Sequence, residues 1–124
     1  MSANDLYGAV RIKFPAMAER ADLVFKELFG DSEPHDNPYT WFESLASVLN
    51  ADMRLETPFR VHESLLLFMD GAASRNCKEV SDCIDAAFVE NLFYGVPPHK
   101  RVPYWAGMPP RLKEFYVAFH RHEP

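Results

Sequence analysis

Glycine is scarce, cysteine is scarcer, and long apolar runs are missing altogether. Five glycines are scattered through 124 residues, so no Gly-rich loop exists to cradle a phosphate. The longest apolar stretch, Leu65 to Met69, is far short of the roughly 20 residues a membrane-spanning helix needs. No membrane association is expected. The opening residues Met1-Ser2-Ala3-Asn4-Asp5 have neither a basic region nor an apolar run behind them, which predicts no secretory leader. The two cysteines, Cys77 and Cys83, fall on one expected helix. There they would sit about 9 Å apart along the axis and about 120° apart around it, too far to bridge. They supply too few ligands for a metal, so no cofactor is expected, and a pair of reduced thiols fits a cytoplasmic location.

Positive charge is also short. Thirteen Lys and Arg face 18 Asp and Glu, a net charge of −5. The imbalance is uneven, since residues 1–98 carry 8 basic against 16 acidic side chains while residues 99–124 carry 5 against 2. An acidic body speaks against nucleic-acid binding, which demands clustered Lys and Arg. It suits a basic protein partner, although mild acidity also simply keeps a protein soluble.

Signs of catalysis are missing as well. His62-Glu63 has no second histidine four residues on, so the zinc-protease pattern is absent and His62 reads as a satisfied core or boundary side chain. His120 and His122 flank Arg121 near the end of a helix, where cations suit the helix dipole. No serine lies in a nucleophile-elbow setting. The carboxylates Glu79, Asp82, Asp85 and Glu90 fall mostly on the polar side of one helix, as a solvated face would. No enzymatic activity is expected.

What is present is helical patterning, punctuated by ten prolines and a few capping residues. Asn4-Asp5 can cap a short helix to about Lys13. Pro15 opens a second, whose apolar positions Met17, Ala21, Val24, Phe25 and Leu28 recur at helical spacing before Gly30 stops it. Asn37-Pro38 and Thr57-Pro58 each pair a capping side chain with a proline preset for a first turn. Pro38, Glu43, Ser44 and Leu45 match Pro58, Glu63, Ser64 and Leu65 at an offset of 20, a likeness that the narrow vocabulary of helix starts can produce unaided. The segment from Pro58 to about Ala73 is apolar nearly all round, which predicts the central, buried helix. Asn76 and Glu79 suggest a capping box for the next helix, whose apolar set is Cys77, Val80, Ile84, Ala87, Phe88, Asn91 and Leu92. Residues 96–108 hold several prolines and read as an ordered but irregular strap. Pro109-Pro110 starts the last helix, with Leu112, Phe115, Tyr116 and Phe119 expected inward. No stretch alternates with period two. The expected fold is all-α: one domain, residues 1–124, as a compact bundle of five or six helices around the segment 58–73.

One surface invites attention. Asp31, Glu33 and Asp36 lead into Tyr39 and Trp41, so an acidic loop adjoins bulky aromatics of the kind enriched at binding hot spots, and acidic rims steer basic partners in. Trp41 reads as core, while Tyr39 reads equally as core or surface. Together with Glu43, Asp82 and Asp85, the residues Asp31, Glu33, Asp36 and Tyr39 form the candidate partner-binding set.

The stretch Asp85-Ala86-Ala87-Phe88-Val89-Glu90-Asn91-Leu92, followed by Met108-Pro109-Pro110-Arg111-Leu112-Lys113-Glu114-Phe115, resembles a pattern in small all-helical bacterial proteins that are akin to immunity proteins of polymorphic and contact-dependent toxin systems. In that pattern a helix ends in Phe-x-Glu-Asn/Asp-Leu, and a following helix opens on Gly or Pro and carries Leu-Lys. The likeness covers about the last 65 residues. Its signature positions Phe88, Leu92 and Leu112 are structural, so no binding residue transfers. The resemblance implies a toxin inhibitor whose partner is a basic, nuclease-like toxin domain. The alternative is a helical adaptor or regulatory module whose interface is the basic C-terminal region.

Overall fold

A capping box starts the chain. The Ser2 hydroxyl accepts from the Asp5 N–H (3.1 Å) and the Asp5 carboxylate accepts from the Ser2 N–H (2.8 Å), satisfying two of the free donors at the start of α1 (Ala3–Lys13). The cap is therefore Ser2, two residues ahead of the Asn4-Asp5 start expected from the sequence. Phe14 alone joins α1 to α2 (Pro15–Phe29). Pro15 takes the first helical position and Gly30, at φ 62°, ends α2, a left-handed conformation that glycine adopts without a Cβ penalty. The Arg11 guanidinium reaches across to Asp22 at 2.6 Å. The computed structural model describes residues 1–124.

After a 3₁₀ turn at Pro34–Asp36 comes α3 (Pro38–Arg54), which buries ten of its 17 residues. Two adjacent stripes do this: Trp41, Leu45 and Val48 on one line, and Phe42, Ala46, Leu49 and Met53 on the next. The helix packs against α2 and also meets α1, α6 and the segment after α5. The most buried helix is thus α3, and not the 58–73 segment expected to be central. That segment divides: Pro58 is extended, Phe59–Val61 forms a 3₁₀ turn, and α4 runs only from Glu63 to Ala73. Five of the 11 residues of α4 are buried, while Leu67 is 56% exposed. An apolar composition all round does not ensure burial when neighbours cover one side only. The offset-20 likeness also ends here, because Pro38 opens α3 while Pro58 precedes a turn, and Ser44 is buried while Ser64 is exposed.

The next helix is short and changes pitch. Cys77, in extended conformation, stands at its start in place of the expected Asn76 cap, and α5 (Lys78–Cys83) passes into a π-helical stretch Ile84–Phe88 and a 3₁₀ turn Val89–Asn91. Val80, Ile84, Ala87, Phe88 and Leu92 are buried as the pattern predicts; Cys77 and Asn91 are only half-buried, and Cys83 and Val89 join the core. The wider π turn carries one more residue past each point, which brings Phe88 and Val89 inward together. Both cysteines are free.

Residues expected to form an irregular strap instead form α6 (Pro98–Gly107), with Pro103 inside it. Tertiary contact outweighs the missing N–H: Tyr104 is buried, its hydroxyl donates to the Thr57 carbonyl at 2.8 Å, and its ring meets Phe59 edge-on at 5.5 Å. Phe59 lies so close to Gly107 that a Cβ there would fall 2.5 Å from the ring. The last helix, α7 (Pro110–His120), opens on proline as expected. Its first free donors, the N–H groups of Arg111 and Leu112, are accepted by the Asp70 carboxylate of α4 at 2.8 and 3.3 Å. Leu112 and Tyr116 face inward and Phe115 is half-buried, but Phe119 is 54% exposed, against expectation. It falls in the last helical turn, beyond the neighbours that would cover it.

Candidate functional site

The structure divides the sequence-derived candidate residues into two neighbouring groups. Asp31 and Glu33 follow α2 and line an open hollow of about 360 Å³ together with Asp22, Phe25, Lys26 and Pro34. Asp36 closes the 3₁₀ turn and is exposed, 3.4 Å from the His35 imidazole. Three residues later Tyr39 stands in the first turn of α3, 39% exposed, so of the two readings left open for it the surface one holds. Trp41 is fully buried; its indole N–H donates to Asp22 at 2.9 Å and Tyr7 meets its ring edge-on at 4.8 Å.

The second group forms a ridge. Burial raises the pKa of the Tyr39 phenol, with Cys83, Asp82 and Glu79 pushing the same way and Lys78 opposing. Asp82 is exposed and pairs with Lys78 at 2.6 Å, one helical turn back. Burial raises the pKa of Asp85, with Asp82 adding to the shift and Arg111 opposing it; burial also raises Glu90, with Asp85 adding to it. Like charges thus act in sequence from Asp82 on Asp85 and from Asp85 on Glu90. Glu43, one turn beyond Tyr39 on α3, is half-buried. The fold brings Tyr39 of α3 under the influence of the Asp82 charge on α5, while Asp31 and Glu33 line their own hollow. An aromatic with a polar tip, flanked by carboxylates, can anchor and steer a cationic surface. No three His, Cys, Asp or Glu side chains converge as metal ligands would.

Sequence reasoning missed a second cluster. Asp52 on α3, only 5% exposed, accepts two hydrogen bonds from Arg20 of α2, at 2.6 and 2.8 Å, and lies 2.6 Å from Nε2 of His62, which is 2% exposed. The Arg20 hydrogen bonds are the main cause holding the Asp52 carboxyl below its usual pKa; burial opposes them and His62 assists. A carboxylate orienting an imidazole could serve general-base chemistry, but this imidazole offers no surface to a substrate. The cluster pins α2, α3 and the start of α4 to one another. Asp52 continues the buried stripe of Trp41, Leu45 and Val48 at helical spacing, and that position was the legible signal.

The model of a domain of unknown function, DUF7674, matches residues 8–122. The chain belongs to the DUF7674 family. No curated protein and no solved structure matches it. The DUF7674 match takes in α2 to α7 whole and most of α1, so it includes both the acidic ridge and the Arg20–Asp52–His62 cluster.

Proposed function

We propose that this DUF7674 protein is a protein-binding protein of the bacterial cytoplasm. It acts as an immunity protein that neutralises a basic, nuclease-like toxin domain by covering its active site. The observation that carries the reading is the run of carboxylates Glu79, Asp82 and Asp85, the first two exposed, whose Glu79 and Asp82 charges act on the part-exposed Tyr39 phenol of α3. Carboxylates held close together on a folded scaffold present a fixed negative field. A nuclease must hold phosphates, so its active site is cationic, and such a ridge meets it in the phosphates' place. The acidic excess of residues 1–98 supports the same reading by steering a basic partner toward this side.

Co-expression with the product of the adjacent gene tests the proposal. The expected outcome is a stable one-to-one complex with a basic protein, relief of that protein's toxicity, and dissociation at raised salt. Asp82→Lys with Asp85→Lys is expected to abolish the complex while the protein stays folded. A neighbouring product that neither binds nor is toxic, with no basic protein retained from the native extract, would refute the proposal.

A further inference from the structure

The turn after the π-helical segment holds an aromatic side chain out into solvent on an unusually constrained backbone. Tyr94 is 83% exposed. Phe93 before it and Gly95 after it both lie at positive φ, 71° and 69°. Glycine accepts that conformation freely, but a buried phenylalanine does so only where its surroundings impose it. Asn50 of α3 does so here: its amide oxygen accepts from the Phe93 N–H at 2.7 Å and its amide nitrogen donates to the Asn91 carbonyl at 2.8 Å. The Val96 N–H closes the turn on the Phe93 carbonyl at 3.1 Å, and the Phe93 ring is set edge-on between Trp105 and Tyr116. The Tyr94 backbone is therefore preorganised, so binding through it costs little backbone ordering entropy.

Around Tyr94 basic side chains outnumber acidic ones, in a chain whose net charge is −5. Arg54 lines the same open hollow of about 230 Å³ as Tyr94. Lys100 donates to the Arg54 carbonyl at 2.7 Å, and the Arg101 guanidinium donates to the Val96 carbonyl. All three cations are held by backbone carbonyls or lie free; none takes part in the chain's six ion pairs. The first turn of α6 begins beside them with no acidic residue and no side-chain cap, so its dipole adds to the positive potential. Two carboxylates share hollows with these cations, Glu56 with Lys100 and Glu123 with Arg101, and neither forms an ion pair.

We infer that the Tyr94 turn is a docking site for a short acidic, aromatic-containing peptide segment of a second protein, independent of the acidic ridge. Three cations without ion pairs outnumber the two carboxylates in the hollows around them and suit an anionic ligand, and an exposed tyrosine on a rigid turn supplies the contact area of a hot spot. A nucleic acid would bring a long run of phosphates against a chain of net charge −5. A segment with a few carboxylates meets chiefly the local cations, within a screening distance of about 8 Å.

Fluorescence anisotropy of the intact chain tests this with three labelled probes: an alternating Glu/Tyr peptide, a Lys/Tyr peptide and an oligothymidine. Saturable binding of the Glu/Tyr peptide alone is expected. Tyr94→Ala and Arg54→Glu should each weaken it by about tenfold, and the distant Arg75→Gln should leave it unchanged. Tyr94 and Arg54 are exposed, so both variants should fold; if Arg54→Glu does not, Lys100→Gln serves the same purpose. No saturation with the Glu/Tyr peptide, oligothymidine binding of equal strength, or wild-type affinity in Tyr94→Ala would each overturn the inference.

Discussion

Replacing Asp52 by alanine removes the partner of two side chains at once. His62, at 2% exposure, would be left buried without its 2.6 Å contact, while Arg20, whose side chain is 45% exposed, could turn out to water. Breaking a buried charged pair costs about 3–5 kcal/mol. Because Arg20 can rehydrate, the cost here belongs at the lower end, about 3 kcal/mol. For a domain of this length that corresponds to a fall in Tm of roughly 10 °C. Urea denaturation followed by circular dichroism and tryptophan fluorescence measures it directly. A double-mutant cycle with His62→Ala should show coupling of about 1 kcal/mol or more, since the two groups share one contact.

The pH dependence follows from the direction of the Asp52 shift. Its carboxyl is held below the ordinary value in the folded protein, chiefly by the Arg20 hydrogen bonds. The folded state therefore releases this proton more readily than the unfolded chain does. The resulting stability is fully present above about pH 4, the ordinary aspartate range, and is lost as pH falls through the lowered folded value. Asp52→Asn should flatten that acid limb. A loss below about 1 kcal/mol in Asp52→Ala, or strictly additive effects of Asp52 and His62, would show that the cluster does not tie α2, α3 and α4 together.

Other outcomes follow from the same structure. Asp70→Ala removes the acceptor for the Arg111 and Leu112 N–H groups; a cost of about 1 kcal/mol in urea denaturation is expected, with amide exchange speeding first at the start of α7. Gly107→Ala places a Cβ 2.5 Å from Phe59, so a loss of about 1–3 kcal/mol is expected, and Phe59→Leu in the same chain should recover part of it. Burial, with Glu79 adding to it, pushes the Cys83 thiol up to about 12. Iodoacetamide near neutral pH should therefore leave Cys83 unmodified until the protein is unfolded, as peptide mass mapping would show. Burial also raises Tyr104 from 10.0 to about 12. The unfolded chain loses that proton first, so stability should decline between those two values, and Tyr104→Phe should flatten this limb of a pH titration of Tm.

The helical class, the solvated carboxylates of α5, and the proline and glycine boundaries at Pro15, Gly30, Pro38 and Pro110 could be read from the chain alone. Each depends on neighbours within a turn or two: side-chain periodicity, a fixed proline φ, a glycine free to take positive φ. Three features needed the whole fold. α3 rather than α4 became the most buried helix because other elements cover both of its stripes, whereas Leu67 of α4 has none over it. The strap at 98–107 became helical because Tyr104 finds the Thr57 carbonyl and Phe59 packs on Gly107, contacts 47 residues apart in the first case. The candidate site needed it too: Tyr39 of α3 comes under the Asp82 charge of α5 only in the folded chain, and Asn50 sets the Tyr94 turn from a distant part of the chain. Local chemistry determined where helices start and stop. Which faces meet, and which side chains are left for a partner, was decided by packing between segments far apart in sequence.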